Sequence, residues 1–71
     1  MTSLTAVVEQ DRETCLYIGV IPGLPGAHTQ AATLDELRAN LEEVVALVLE
    51  EDASLRESLP RFVGVQQIEV A

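Results

Sequence analysis

The segment Ile21-Pro22-Gly23-Leu24-Pro25-Gly26 contains two Pro-Gly pairs in close succession. Each proline fixes φ, and the glycine after it permits a positive φ, which is the pattern of two consecutive type II turns. A phosphate-binding loop is the alternative, but it requires Lys and then Ser or Thr directly after its last glycine, where this chain has Ala27 and His28. We therefore expect a rigid structural loop between two strands, with Leu24 presented at the surface.

Two strands are predicted before this loop, at residues 4–9 and 14–21. Both are rich in β-forming residues and they flank a polar turn, which is typical of a hairpin. Cys15 and Tyr17 alternate with Leu16 and Ile18 along the second strand, so neither of its faces is polar. Such a strand is expected to be covered on both faces. One helix can cover only one of them, so the other face indicates a partner.

After the loop, residues 27–30 suggest a third strand and residues 34–51 a helix. Thr33 and Glu36 have the spacing of a capping box, in which each side chain accepts a hydrogen bond from the backbone N–H of the other. The following apolar residues recur at intervals of three and four, the period of a helix. Asn40 within this helix is expected to tie it to the loop at residues 22–26. Pro60 ends any further helix, and residues 61–70 are predicted to form a fourth strand.

Size and charge limit what this chain can do. Its 71 residues make one small domain, which buries about 60% of its unfolded surface and gains stability from association. Twelve Asp and Glu against four Arg give a net charge of −8, which repels nucleic acid and attracts basic partners. With no charged leader and no long apolar run, a cytoplasmic protein without membrane contact is expected.

Catalytic and metal sites are disfavoured by the residue inventory. The single Cys15 and single His28 give no disulfide, and they supply fewer ligands than a metal site needs. A Cys–His nucleophile pair is possible only if adjacent strands bring the two together, and a lone Cys in an apolar strand is more often a core residue. The carboxylates that a two-metal nuclease would need, Glu9, Asp11 and Glu13, cluster at one hairpin turn. We expect no cofactor and no enzyme activity.

Acidic residues crowd the predicted helix and its extension, and Glu42, Glu43 and Glu50 lie within it. As a solvated helix face this group needs no function. As a docking patch it would attract a basic partner by electrostatic steering. Both interpretations fit the sequence.

The spacing of several residues resembles that of the HicB-type antitoxin domain over nearly the whole chain. The pattern is an aromatic strand, then P-x-L-P-G, then a Thr-led helix that carries an Asn. The matching residues are Tyr17, Pro22, Leu24, Pro25, Gly26, Thr29, Thr33, Glu36, Asn40 and Glu43. The resemblance implies an α+β fold of the truncated RNase-H-like kind, with element order β-β-β-α-β and strand order 3-2-1-4.

The same resemblance implies a function. HicB-type antitoxins cover the active site of HicA-type toxins, which are small basic ribonucleases that cleave messenger RNA. The expected activity is therefore non-catalytic binding and inhibition of such a toxin. Contacts are expected from Tyr17, Leu24, Glu42, Glu43 and Glu50. The alternative is a structural or regulatory homo-oligomer, a dimer or tetramer, that has no toxin partner.

This chain departs from the family pattern in two ways. Ala31-Ala32 stands where the family has Gly followed by an acidic residue before the capping Thr. Many HicB antitoxins also carry a C-terminal DNA-binding domain, whereas residues 1–71 are expected to form a single HicB-like domain. The chain thus resembles the short, single-domain members of UPF0150 type, and direct binding to nucleic acid is not expected.

Overall fold

Three strands, one α-helix and one 3-10 helix make up the fold of the computed structural model, which describes residues 3–71. The strands β1 (Val7–Gln10), β2 (Tyr17–Val20) and β3 (His28–Ala31) form an antiparallel meander in the order β1-β2-β3. Helix α1 spans Leu34–Glu51, and the 3-10 helix spans Ala53–Ser58. The predicted α+β class, hairpin, third strand and helix are confirmed. Residues 1 and 2, part of the segment in which no leader was found, lie outside the described residues.

The hairpin turn between β1 and β2 is longer than the sequence pattern indicated. The Asp11 carboxylate accepts hydrogen bonds from the backbone N–H of Glu13 at 2.8 Å and of Thr14 at 3.3 Å. Cys15 follows with a φ of 63°, in the left-handed region. The prediction of a strand from residue 14 was therefore wrong at its start, because these local bonds keep residues 14–16 in the turn.

The loop after β2 consists of the two predicted turns. The Ile21 carbonyl accepts from the N–H of Leu24 at 3.2 Å, and the Leu24 carbonyl accepts from the N–H of Ala27 at 3.1 Å. Gly23 and Gly26 have φ values of 82° and 83°, as type II turns require. The turns place every third residue inward, so Ile21, Leu24 and Ala27 are buried and form a core cluster with Leu49.

Helix α1 begins at its predicted cap and packs across β2 and β3. The Thr33 hydroxyl accepts from the backbone N–H of Glu36 at 3.1 Å, while the reciprocal bond to the Glu36 carboxylate is not formed within residues 3–71. The helix buries Leu37 and Leu41 against Ala31 and the partly buried Tyr17. Gly19 of β2 permits this approach, since a Cβ there would lie 2.8 Å from Leu41 Cδ1.

One face of the sheet and the residues after Pro60 remain uncovered in the single chain. Ile18 and Val20 of β2 are exposed on the face opposite the helix, so the expectation that both faces are covered is not met by one copy. Residues 61–71 are all exposed and form no strand. The fourth strand predicted at residues 61–70 is thus absent from the single chain, because these residues make no ladder with the other described residues.

Candidate functional site

The outer side of helix α1 carries a row of acidic side chains. Glu36, Glu43 and Glu50 are spaced by seven residues, about two helical turns, and therefore lie along one line of the helix. All three side chains are exposed. We call this surface, with Leu47, the acidic helix face.

Leu47 gives this face an apolar centre that the sequence analysis missed. It is 57% exposed and lies one helical turn from both Glu43 and Glu50. Its position falls outside the apolar stripe that marks the core of the helix. The sequence did contain a signal for this apolar centre. Leu47 follows Glu43 by four residues and precedes Glu50 by three, which places a leucine on the polar side of the predicted helix.

Glu42 belongs to a different surface from Glu43 and Glu50. Its carboxylate lies 3.6 Å from the Arg38 guanidinium, in an exposed pair that contributes little to stability. Both side chains line a groove that runs along the other flank of the helix. The structure therefore separates the predicted acidic contacts into two groups, and only Glu43 and Glu50 remain on the acidic helix face.

Leu24 is not at the surface as the sequence suggested, and Tyr17 is only partly exposed. Leu24 is only 3% exposed and packs in the core, so the expectation that the loop presents it was wrong. The reason is that both turns fold their apolar positions toward the helix. Tyr17 is half-buried against Ala31, Leu37 and Leu41 on the helix side of the sheet. Packing accounts for both residues.

Asn40 does not tie the helix to the loop. Its side chain is partly buried and makes no hydrogen bond with any other part of residues 3–71. The loop packs against Leu49, which is nine residues farther along the helix, or roughly 13 Å at 1.5 Å per residue. The predicted link is wrong because the loop packs against the apolar side chains of residues 44–49 and the Asn40 side chain bonds to none of its atoms.

Three curated proteins are similar to this chain over most of its length. The UPF0150 protein of Thermotoga maritima is 47% identical over 66 residues, which cover 93% of this chain and 87% of that protein. Those of Archaeoglobus fulgidus and Synechocystis are 42% and 41% identical, and each alignment covers 90% of this chain and 88% of the relative. This chain belongs to the UPF0150 family. No family model and no solved structure matches it.

The side chains considered for catalysis in this UPF0150 protein are not assembled into a site. β2 places Tyr17 opposite Ala31 and Val20 opposite His28, so Cys15 and His28 lie at opposite ends of that strand. The Asp11 carboxylate is engaged in the hairpin turn. Among residues 3–71 there is no group of three or more His, Cys, Asp and Glu side chains that could hold a metal ion.

Within the same range, no helix of the UPF0150 chain is long and apolar enough to cross a bilayer.

Replacing Asn40 with alanine is expected to change the free energy of unfolding by less than about 0.5 kcal/mol, the range of ordinary surface substitutions. The side chain has no hydrogen-bond partner to lose among residues 3–71, and alanine is the better helix former. Urea denaturation followed by circular dichroism measures the change. A decrease in the free energy of unfolding of more than about 1 kcal/mol, the typical contribution of one hydrogen bond, would indicate that Asn40 does bond to the loop.

Proposed function

We propose that this UPF0150 protein is a non-catalytic interaction domain that binds and inhibits a HicA-type, mRNA-cleaving ribonuclease in the cytoplasm, as HicB-type antitoxins do. The observation that carries the proposal is the acidic helix face, where Glu43, Leu47 and Glu50 are exposed side by side on a regular helix. The P-x-L-P-G loop and the Thr33 cap support it as features that resemble the antitoxin domain.

Charge and shape both suit a basic partner. A protein with a net charge of −8 attracts a basic ribonuclease at long range, and the row of glutamates gives the encounter a preferred orientation. Leu47 supplies an apolar contact at the centre of that row, where binding energy in protein interfaces is concentrated. A helix fixed by its N-cap and by its buried leucines presents these groups with little ordering cost.

Charge reversal on this face tests the proposal. The protein would be co-expressed with a small basic HicA-type ribonuclease, purified by a tag, and titrated by calorimetry. We expect a stable complex in which RNA cleavage is suppressed. The double variant Glu43→Lys/Glu50→Lys should weaken binding by about tenfold or more, because like charges would then face each other in the complex.

The matched control is Glu9→Lys/Glu13→Lys, which changes the net charge equally at the opposite hairpin. Both of these glutamates are exposed. If the control weakens binding as much as the helix variant, the attraction is general and the acidic helix face is not the docking site. If no complex forms and RNA is not protected, toxin inhibition is rejected.

The competing function is a structural or regulatory homo-oligomer without a toxin partner. The exposed apolar residues at 61–71, including Val63, Val65 and Ile68, favour self-association. An oligomer that leaves a HicA-type ribonuclease fully active would support this function and exclude the antitoxin role.

We also propose that residues 61–70 become the fourth strand beside β1, which would give the strand order 3-2-1-4 and a truncated RNase-H-like fold. β1 is an edge strand, and its outer backbone groups have no partner within the described chain. The apolar residues of 62–70 are spaced as in a strand that is covered on both faces. Which copy of the chain supplies this strand is a separate question.

A further inference from the structure

A groove lies beside β1, between helix α1 and the edge of the sheet. Helix α1 packs on β2 and β3 but makes no close contact with β1, so a space with a volume of about 860 Å³ remains between the helix and the edge of the sheet. We call it the β1 groove. Its walls are mainly apolar, and they include Ala6, Val8, Leu34, Leu41 and Val45.

The β1 groove has the form of a strand-binding site. An edge strand offers a row of unpaired N–H and C=O groups to an added strand, and pockets along the edge receive alternate side chains. At β1 the row of free groups and the apolar walls lie side by side. A strand with apolar side chains would satisfy both.

Residues 61–71 have the composition of that strand. Val63 and Val65 are 91% and 80% exposed, and Phe62, Ile68 and Val70 are exposed as well. In an extended chain Val63 and Val65 share one face, whereas Phe62, Ile68 and Val70 share the other. At about 3.3 Å per residue the segment reaches roughly 36 Å, well beyond the length of β1. The segment is therefore long enough to run along the whole β1 edge of a second copy.

The segment forms no ladder with its own sheet. The Pro60 ring packs against Gly23 so closely that a Cβ on Gly23 would lie 2.3 Å from Pro60 Cδ. Beyond this contact a gap of about 360 Å³ separates residues 61–65 from Leu4, Thr5 and Val7. The radius of gyration is 13.5 Å, against about 11 Å for a compact chain of this length. The fixed start and the extended shape leave the chain's own groove open.

We propose that residues 61–70 of one copy pair with the β1 edge of a second copy and fill its β1 groove, and that the exchange is reciprocal. This inference rests on the proposed fourth strand and is independent of toxin inhibition. Reciprocal exchange of an identical element closes a two-fold dimer at low cost. It would give each small domain the additional core that a chain of this size needs.

The distribution of charge favours this contact between two acidic molecules. Two copies that each carry −8 repel each other, and a contact region that is not itself acidic keeps this repulsion lowest. Arg38, Arg56 and Glu42 line the β1 groove, and the segment contains Arg61 and Glu69, so the proposed contact holds three of the four arginines of the chain against two carboxylates. The acidic helix face is on the other flank of α1 and stays outside the interface.

The first test is the mass in solution, measured by light scattering over a range of concentrations. We expect twice the 7.7 kDa mass of the chain. Val65→Asp should shift the protein to the monomer, because it places a carboxylate in the groove of the second copy. Leu47→Asp is the matched control, since it makes the same change at an exposed apolar residue of the acidic helix face, and it should leave the dimer intact.

The second test identifies the donor of the strand. A mixed sample of ¹³C-labelled and unlabelled chains, refolded together, should show intermolecular NOEs between the methyl groups of Val63 or Val65 and those of Val7 or Val8. A monomer, or a dimer that Leu47→Asp but not Val65→Asp dissociates, would overturn the exchange. Strictly intramolecular NOEs would also overturn it, while leaving the fourth strand in place. None of these outcomes depends on whether a ribonuclease is bound.

Discussion

Replacing Leu37 with alanine is expected to lower the free energy of unfolding by about 3 kcal/mol. Leu37 is 2% exposed and is the largest fully buried side chain among residues 3–71. It packs with Leu41 and Ala31 under the helix, beside Gly19 of β2. Its truncation removes buried methyl groups and leaves a cavity that the short strands of this sheet cannot easily close. A domain of this length has a total stability of roughly 4–11 kcal/mol, so the loss is a large share of it.

Leu47→Ala is the control for this prediction. It is the same substitution in the same helix, at a side chain that is largely exposed, and it is expected to change stability by less than about 0.5 kcal/mol. Urea denaturation at one fixed protein concentration should give two clearly separated midpoints. Equal midpoints would mean that Leu37 does not lie in the core as described.

Replacing Gly23 with alanine is expected to cost about 2–4 kcal/mol, from two sources. A φ of 82° places an L-residue in the left-handed region at a cost of about 1–2 kcal/mol. The new Cβ would also lie 2.3 Å from Pro60 Cδ, so the ring and the chain after it must move. Overpacking of this kind typically costs about 1–3 kcal/mol.

Gly26→Ala separates the two sources. Gly26 has nearly the same φ, 83°, but no atom lies within 4 Å of the position of its Cβ. It should therefore show the backbone strain alone, and the difference between the two variants should report the contact with Pro60. The variant Gly23→Ala/Pro60→Ala should recover part of that difference. If the two glycine variants are equally stable, Pro60 does not constrain the loop.

Local sequence chemistry was sufficient to predict most of the fold. The Pro-Gly pairs define two turns, because proline and glycine restrict φ in opposite ways at adjacent positions. Thr33 and the spacing of the leucines define the start and the inward face of α1. The first turn was less predictable. Asp11 and Thr14 hold residues 14–16 out of β2 through side chain–backbone bonds, which compete with a strand that the same residues also favour.

The candidate site was predicted less well, because surfaces depend on which way each element faces. Leu24 and Glu42 were chosen by residue type, but the turns bury Leu24 and the helix turns Glu42 toward the groove. Glu43 and Glu50 remain on the acidic helix face because a spacing of seven keeps them on one line. The fourth strand presents the opposite problem. Residues 61–70 carry the pattern of a strand, but pairing depends on a partner edge that the pattern does not identify.

Each strand of the meander pairs with its neighbour in the sequence, so only short loops must close during folding and their closure costs little entropy. Helix α1 then completes the core without residues 61–71, which contribute to neither core cluster. The body of the domain can therefore fold within a single chain. Pairing with a second copy must wait for the two chains to meet. The rate of folding is thus expected to be first-order in protein concentration, whereas the rate of assembly is expected to be second-order.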